Sequence, residues 1–226
     1  GFPPGVVNTV TGLGPEAGSV LAAHPDVAKV AFTGGDATGQ RIYEAGAPSL
    51  KKVSMELGGK SANIIFADAN LEAAVMGAVS GIFAASGQTC IAGSRLLVQR
   101  AVHDEVVDRL SQVARTARMG DPADAGTQVG PVTTQPQRAH ILKMIEAGKA
   151  DGARCVMGGG TPSDPALGQG WFVEPTIFTD VRNDMRVAQQ EVFGPVLSII
   201  PFDDDAEAIR IANDSIYGLA SGLWTR

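Results

Sequence analysis

The stretch Lys29-Val30-Ala31-Phe32-Thr33-Gly34-Gly35 indicates the fold class. It is an apolar run of strand length that ends in two glycines, and a helical pattern follows over about Ala37–Ala45. Leu50–Leu57 is the next strand candidate, and its alternating pattern places Ser54 and Glu56 on one face. Strand, helix and strand in this order predict an α/β protein with a parallel sheet.

The same alternation continues outward from this unit. Further strands are predicted at Val6–Val10, Asn63–Phe66, Val196–Ile200 and Tyr217–Trp224. Further helices are predicted at Glu16–Ala23, Leu71–Ser86 (with Asn70 as N-cap and Gly87 as terminator), Val102–Arg118, Gln137–Ala147 and Asp205–Ala212 (with Asp204 and Glu207 as a capping box). Three strand–helix steps followed by a mixed region predict two lobes with a boundary near 57–59. One continuous α/β domain is the alternative.

Composition excludes several classes of protein. The 226 residues carry a net charge of −6, which disfavours binding to nucleic acid or to a membrane surface. The apolar runs are shorter than the roughly 20 residues of a membrane span, and no signal peptide is visible. The two cysteines lie far apart and no Cys/His cluster has zinc-site spacing, so we expect no disulfide, no metal and a cytoplasmic location.

A candidate base lies in the segment Met55–Ser61. Gly59-Lys60-Ser61 is similar to the end of a phosphate-binding P-loop, but Ser54 stands where that motif needs glycine, so we reject the P-loop. A carboxylate at a strand end before a double glycine can act as a general base. Taken alone, however, Glu56 has the properties of a solvated surface residue.

A candidate nucleophile lies in the segment Ser86–Ser94. Cys90 follows a long helix within a glycine-flanked turn, where a thiol is held by a rigid scaffold and stays accessible. Cys155 stands between apolar residues and is interpreted as a small buried hydrophobe. The three histidines lie outside these segments, which disfavours a Cys–His hydrolase.

Several segments, taken in order, resemble the aldehyde dehydrogenase superfamily. Each is weak alone, but the ordered set is specific and covers essentially the whole chain. The matching segments are Gly1–Asn8, Phe32-Thr33-Gly34, Glu56-Leu57-Gly58-Gly59-Lys60, Gly87-Gln88-Thr89-Cys90, Glu191-Val192-Phe193-Gly194-Pro195 and Tyr217-Gly218-Leu219-Ala220.

The resemblance implies an α/β fold in which part of a Rossmann-type parallel sheet precedes an α/β catalytic domain. Residues 1–57 would be the C-terminal part of the dinucleotide-binding domain. Residues 58–226 would be the catalytic (thiol) domain, incomplete at its C-terminus. No G-x-G-x-x-G fingerprint is present, which fits this family.

The resemblance also implies a mechanism and a cofactor. Cys90 would attack the aldehyde, hydride would pass to NAD or NADP, and Glu56 would activate the water that hydrolyses the thioester. The residues implied at the cofactor are Thr33, Gly34, Gly35, Leu57, Glu191 and Phe193. Gly35 stands where the family commonly has a serine, so backbone N–H groups before a helix would have to bind the pyrophosphate.

The chain begins at Gly1 and stops at Arg226, so we expect a fragment. By resemblance it lacks the early Rossmann strands, the asparagine of the oxyanion hole, the residues that select NAD over NADP, and the strand that joins subunits. The parent protein would be a homo-dimer or homo-tetramer, and the fragment itself would be inactive or nearly so. Two alternatives stay open: an acylating enzyme that passes the thioester to coenzyme A, and a non-catalytic protein that reuses the fold.

The substrate is an aldehyde whose identity the sequence scarcely indicates. By resemblance, Ala84, Thr89 and Ile91 flank the aldehyde tunnel. The small Ala84 would leave room for a bulky or aromatic substrate, although simple helix packing explains the same residue.

Overall fold

The computed structural model describes all 226 residues, which form two compact units, Gly1–Gly58 and Gly59–Arg226. The assignment of these units to a dinucleotide-binding and a catalytic domain stays a prediction. No helix is both long enough and apolar enough to cross a lipid bilayer.

The first unit is built on two parallel strands. Strands β1 (Lys29–Thr33) and β2 (Lys52–Glu56) pair so that Thr33 lies opposite Glu56. Helix α2 (Asp36–Gly46) connects them, and α1 (Ser19–Ala23) follows a π-helical turn at Gly14–Gly18. The predicted strand–helix–strand unit is therefore confirmed.

The predicted strand at Val6–Val10 is wrong. These residues form no strand, and Val7 and Val10 are about two-thirds exposed. β1 pairs only with β2, so no neighbouring strand receives the backbone hydrogen bonds of this apolar run.

The second unit contains a six-stranded sheet. Its strands are β3 (Ala62–Ile65), β4 (Arg95–Gln99), β5 (Arg154–Met157), β6 (Thr176–Thr179), β7 (Val196–Phe202) and β8 (Ser221–Trp224). They lie in the order β5-β6-β7-β4-β3-β8, and every pairing is parallel except that of β5 with β6. The predicted strand at Tyr217–Trp224 is shorter than expected: it begins at Ser221, and the four residues before it are irregular, with a bend at Leu219.

The helices of the second unit are α3 (Leu71–Phe83), α4 (His103–Arg115), α5 (Gln135–Ala150), α6 (Arg186–Gln189) and α7 (Asp205–Asn213). The predicted N-caps are confirmed: Asn70 Oδ1 accepts from Ala73 N at 3.1 Å, and Asp204 Oδ1 accepts from Glu207 N at 2.9 Å. The return bond of the predicted capping box goes to a neighbouring residue, since Glu207 Oε2 accepts from Asp203 N at 2.8 Å. Helix α3 ends three residues before the predicted Ser86, because the chain turns into a left-handed conformation.

Both faces of the sheet are buried along its central strands β6, β7 and β4. Leu97 of β4 packs in one apolar cluster with Ile141 of α5, whereas Leu96 and Val98 pack in the other with Ile82 of α3. A strand buried on both faces has no polar alternation, which explains why β4 was not predicted. The sheet is thus a rigid platform for the loops at its edges.

Candidate active site

The candidate residues of the first unit gather at one edge of its two-stranded sheet. Gly34 N donates to the carbonyl of Glu56 at 3.0 Å, so the residues after β1 lie beside the end of β2. Glu56 and Thr33 are exposed and Leu57 is half-buried. This edge is the carboxyl end of two parallel strands, where open α/β sheets bind their ligands.

Two glycines give this edge its shape. A Cβ on Gly34 would lie 2.5 Å from the Phe32 ring, so only glycine fits there without displacing the ring. Gly35 is the N-cap of α2, whose first backbone N–H groups are available to an anion. Asp36 accepts from Gly58 N at 3.2 Å, so its carboxylate links the start of α2 to the chain after β2.

Cys90 lies in the loop between α3 and β4. Its side chain is half-buried and carries no disulfide, so the thiol is held by the loop and stays accessible. Gly87 has a φ of +70°, and a Cβ there would lie 2.0 Å from the carbonyl oxygen of Gly194. The loop that carries Cys90 is therefore packed closely against the chain that follows Phe193.

Gly59 connects Cys90 to Glu191. Gly59 N donates to Glu191 Oε1 at 3.0 Å, and a Cβ on Gly59 would lie 2.5 Å from the carbonyl oxygen of Cys90. The structure thus brings two predicted site residues, Cys90 and Glu191, to the same glycine. Because Gly59 and Glu191 are 132 positions apart in sequence, no local pattern could have predicted this hydrogen bond.

Helix α5 holds the segment that carries Glu191 and Phe193. Gln137 Nε2 donates to the carbonyls of Val192 and Phe193, both at 3.0 Å. Phe193 has a φ of +50°, an uncommon conformation for an aromatic residue that the surrounding contacts must maintain. The segment is therefore fixed from outside rather than by its own backbone preference.

The sequence patterns did not predict a buried pair of cations next to Gly59. Lys60 and Arg95 are each 2% exposed, and Lys60 Nζ donates to the carbonyl of Val187 at 2.8 Å. Burial lowers the pKa of Lys60 to about 7; Arg95 lowers it further, while Glu191 raises it. Arg95 Nε donates to the carbonyl of Lys60 at 2.9 Å, which fixes the chain next to Gly59.

Arg95 also binds two carbonyls at the end of α7. Its terminal nitrogens donate to Ile211 and Ala212, both at 2.8 Å, and to Asn183 Oδ1 at 2.9 Å. Burial lowers the pKa of this guanidinium. The available sequence signal was a charged residue at the start of the apolar run Leu96-Leu97-Val98, where an unpaired charge would be too costly.

The three residues predicted to flank the aldehyde tunnel line one cavity. Ala84, Thr89 and Ile91 surround a space of about 510 Å³ together with Asn63 and Trp224. This volume lies within the range of small-molecule sites. Trp224 Nε1 donates to Asn63 Oδ1 at 2.9 Å, so the indole is held in the cavity wall.

The second cysteine differs from the first in its surroundings. Cys155 lies on the edge strand β5, and burial raises the pKa of its thiol. A thiol that stays protonated is a poor nucleophile. Cys155 is half-buried, in partial agreement with its interpretation as a small buried hydrophobe.

Comparisons with known proteins cover the whole chain. A model of the aldehyde dehydrogenase family matches residues 1–226. The chain is similar to a betaine aldehyde dehydrogenase from Bacillus subtilis (strain 168), at 45% identity over 100% of this chain and 46% of that protein.

Solved structures show the same likeness. PnpE from Pseudomonas sp. WBC-3 is 49% identical with a TM-score of 0.98, over 100% of this chain and 46% of that one. Betaine aldehyde dehydrogenase from Staphylococcus aureus, solved in complex with NAD+, is 42% identical with a TM-score of 0.98, over 100% of this chain and 45% of that one. The chain spans about half the length of the relatives it matches.

Proposed function

The chain belongs to the aldehyde dehydrogenase family, and from this membership we propose that its parent protein oxidises an aldehyde to a carboxylic acid with a nicotinamide cofactor. The observation that carries the proposal is the meeting of Cys90 and Glu191 at Gly59. It supports assigning the two residues to one site, because the backbone of Cys90 and the carboxylate of Glu191 both lie against this glycine. The assignment of residues 1–57 to the cofactor and of 58–226 to the chemistry is part of the same proposal.

The residues present suit a nicotinamide dinucleotide. A Cβ on Gly35 would meet nothing within 4 Å, so the approach to the start of α2 is open, and α2 offers backbone N–H groups for a phosphate. Thr33, Gly35 and Leu57 would line this cradle, and Glu191 and Phe193 would hold the nicotinamide half. Since PnpE and the Staphylococcus aureus relative were solved with NAD, we propose NAD rather than NADP.

The proposed chemistry begins at Cys90. Its thiolate attacks the carbonyl carbon of the aldehyde, and the resulting thiohemiacetal is oxidised to a thioester by loss of hydride. When bound, the cofactor supplies the acceptor for that hydride. Glu56 then takes a proton from water, the hydroxide attacks the thioester, and Cys90 leaves as thiolate while the acid is released.

Replacing Glu56, the proposed base, separates formation of the thioester from its hydrolysis. In the full-length parent, Glu56→Gln is expected to give a burst of NADH equal to the number of sites, followed by little turnover. Glu44→Gln removes another exposed carboxylate of the same unit and should leave turnover unchanged. Unchanged steady-state turnover in Glu56→Gln would remove Glu56 from the mechanism.

Hydrolysis is favoured over acyl transfer to coenzyme A. By the family resemblance, acylating enzymes typically lack a glutamate at the position of Glu56. We therefore expect the parent to release free acid at the same rate with and without coenzyme A. Formation of an acyl-coenzyme A product would establish the acylating alternative.

A non-catalytic role for the protein is tested by thiol chemistry. Iodoacetamide is expected to modify Cys90 well before Cys155, whose thiol has a raised pKa. Mass spectrometry of the modified peptides gives the ratio of modification at Cys90 to modification at Cys155. Equal or absent modification at Cys90 would favour a protein that reuses the fold without the reaction.

We further propose that the 226 residues alone have little or no activity. The family's oxyanion asparagine has no match in this chain, and loss of one such donor lowers rates by about 10²–10³-fold. NADH production by this chain and by the full-length parent, at equal site concentration, tests the proposal. Comparable turnover by the two would refute it.

The substrate is proposed to enter the cavity lined by Ala84, Thr89 and Ile91. The names of the relatives make betaine aldehyde the first compound for a substrate panel. The small Ala84 makes aromatic aldehydes the second class. Ala84→Phe should raise the KM for the preferred aldehyde above the wild-type value and leave the KM for NAD unchanged. If the variant and the wild type have the same KM for the aldehyde, the substrate binds elsewhere.

A further inference from the structure

The chain before Cys90 adopts an unfavourable conformation. Ala85 and Ser86 have φ values of +49° and +54°, and Gly87 follows at +70°. Residues with a Cβ rarely adopt the left-handed region, and two in succession are unfavourable. Contacts from elsewhere in the fold must therefore hold this turn in place.

Two side chains supply contacts to one neighbouring loop. Ser86 Oγ donates to the carbonyl of Gly130 at 2.8 Å. Gln88 Oε1 accepts from Thr133 twice, from the backbone N–H at 3.0 Å and from Oγ1 at 2.9 Å. Because a backbone N–H can only donate, the amide oxygen of Gln88 must face Thr133.

We propose that Gln88 is a positioning residue for the nucleophile Cys90. The inference rests on the proposed function of Cys90. The two hydrogen bonds from Thr133 to Gln88 fix the left-handed turn of residues 85–87, and they thereby fix the direction of the Cys90 thiol, two residues after Gln88.

A role in positioning fits better than a role in stability. Gln88 is half-buried and Thr133 is exposed, so loss of their contact leaves no cavity in the core. Water can replace the amide oxygen at Thr133, but a mobile water does not fix the backbone of residues 85–88. The expected effect is therefore on the reacting geometry, in which a shift of about 1 Å can lower the rate as much as 10²-fold.

The test uses three replacements of Gln88 in the full-length parent. Gln88→Met keeps the length of the side chain but removes the acceptor, so kcat and the rate of Cys90 alkylation should fall about tenfold or more. Gln88→Glu keeps an acceptor and should recover most of that loss, while Gln88→Ala should resemble the methionine variant. The melting temperature and the KM for NAD should change little in all three.

A matched control lies at the other end of β4. Gln99 Oε1 accepts from Ala67 N at 2.8 Å, the same kind of bond away from the Cys90 loop. Gln99→Met should leave kcat and alkylation unchanged. Thr133→Val removes the hydroxyl donor and should lower kcat less than Gln88→Met, and it should cause no further loss when combined with Gln88→Met.

The outcomes separate this inference from the proposed function. Wild-type kcat and alkylation in Gln88→Met, or a Gln88→Glu variant no better than Gln88→Met, would overturn the positioning role. Turnover that survives Cys90→Ala would instead overturn the nucleophile assignment. Loss of turnover in Cys90→Ala together with graded loss across the Gln88 series supports both.

Discussion

Substitution of Gly59 by alanine tests the connection between Cys90 and Glu191. The added Cβ would lie 2.5 Å from the carbonyl oxygen of Cys90 and 3.3 Å from the Leu219 side chain. The leucine side chain can rotate away, but the carbonyl is backbone. The Cys90 loop must therefore move, or the chain at Gly59 must withdraw from Glu191.

The size of the effect follows from these distances. Since real Cβ contacts essentially never fall below 3.0 Å, the separation from 2.5 Å must grow by at least about 0.5 Å. Overpacking of this kind costs about 1–3 kcal/mol of stability. Displacement of a catalytic group by up to about 1 Å lowers rates as much as 10²-fold, so we expect kcat to fall roughly 10- to 100-fold.

The assay is steady-state NADH production by the full-length parent, with thermal melting of the same samples. Gly160→Ala is the control, because its Cβ would meet only Glu174 Oε2 at 3.9 Å. We expect the KM for NAD to rise in Gly59→Ala if the bond to Glu191 breaks, and kcat alone to fall if Cys90 moves. A variant with wild-type kcat and wild-type KM values would refute the reasoning.

Three further changes test the buried cations and one helix cap. Arg95→Lys should lower the free energy of unfolding by about 2–4 kcal/mol in urea, because lysine cannot reproduce the forked hydrogen bonds. The pKa of Lys60 falls from 10.5 to about 7 on folding, so between these values the unfolded chain binds a proton that the folded chain does not. The stability of wild type relative to Lys60→Met should therefore rise with pH, by up to about 1.4 kcal/mol per unit. Asn70→Ala should lower stability by about 1 kcal/mol through loss of the α3 cap.

Each of these measurements has a defined contrary result. Arg100→Lys is the exposed counterpart of Arg95→Lys and should cost under about 1 kcal/mol; equal costs would contradict the burial argument. A pH-independent difference between wild type and Lys60→Met would show that Lys60 keeps its proton when buried. An unchanged melting temperature in Asn70→Ala would show that water replaces the cap.

Local patterns predicted the elements that depend on local interactions. The alternation in Leu50–Leu57 predicted β2, and the side-chain caps at Asn70 and Asp204 predicted where α3 and α7 begin. The patterns failed where contacts with other segments of the chain determine the secondary structure. Val6–Val10 has strand-like residues but no partner strand, and β4 has no alternation because both its faces are buried.

The candidate site likewise combines residues that local motifs predicted with contacts between distant segments that they did not predict. Motif order predicted Cys90, Glu56 and Glu191 as candidates, and their roles remain proposals. It could not predict that Gly59 N donates to Glu191 or that Gln88 accepts from Thr133, because those contacts join segments far apart in sequence. Burial of Lys60 was also hidden, since an isolated lysine after two glycines usually lies at the surface.

The position of β8 in the sheet has a consequence for the order of folding. This late strand pairs with β3, and Asn63 and Trp224, which meet across that pairing, are 161 residues apart. During synthesis, β3 must wait until residues 221–224 leave the ribosome before β8 can pair with it. Until then one edge of β3 presents unpaired backbone groups, which makes nascent or truncated chains prone to aggregate and chaperones important for yield.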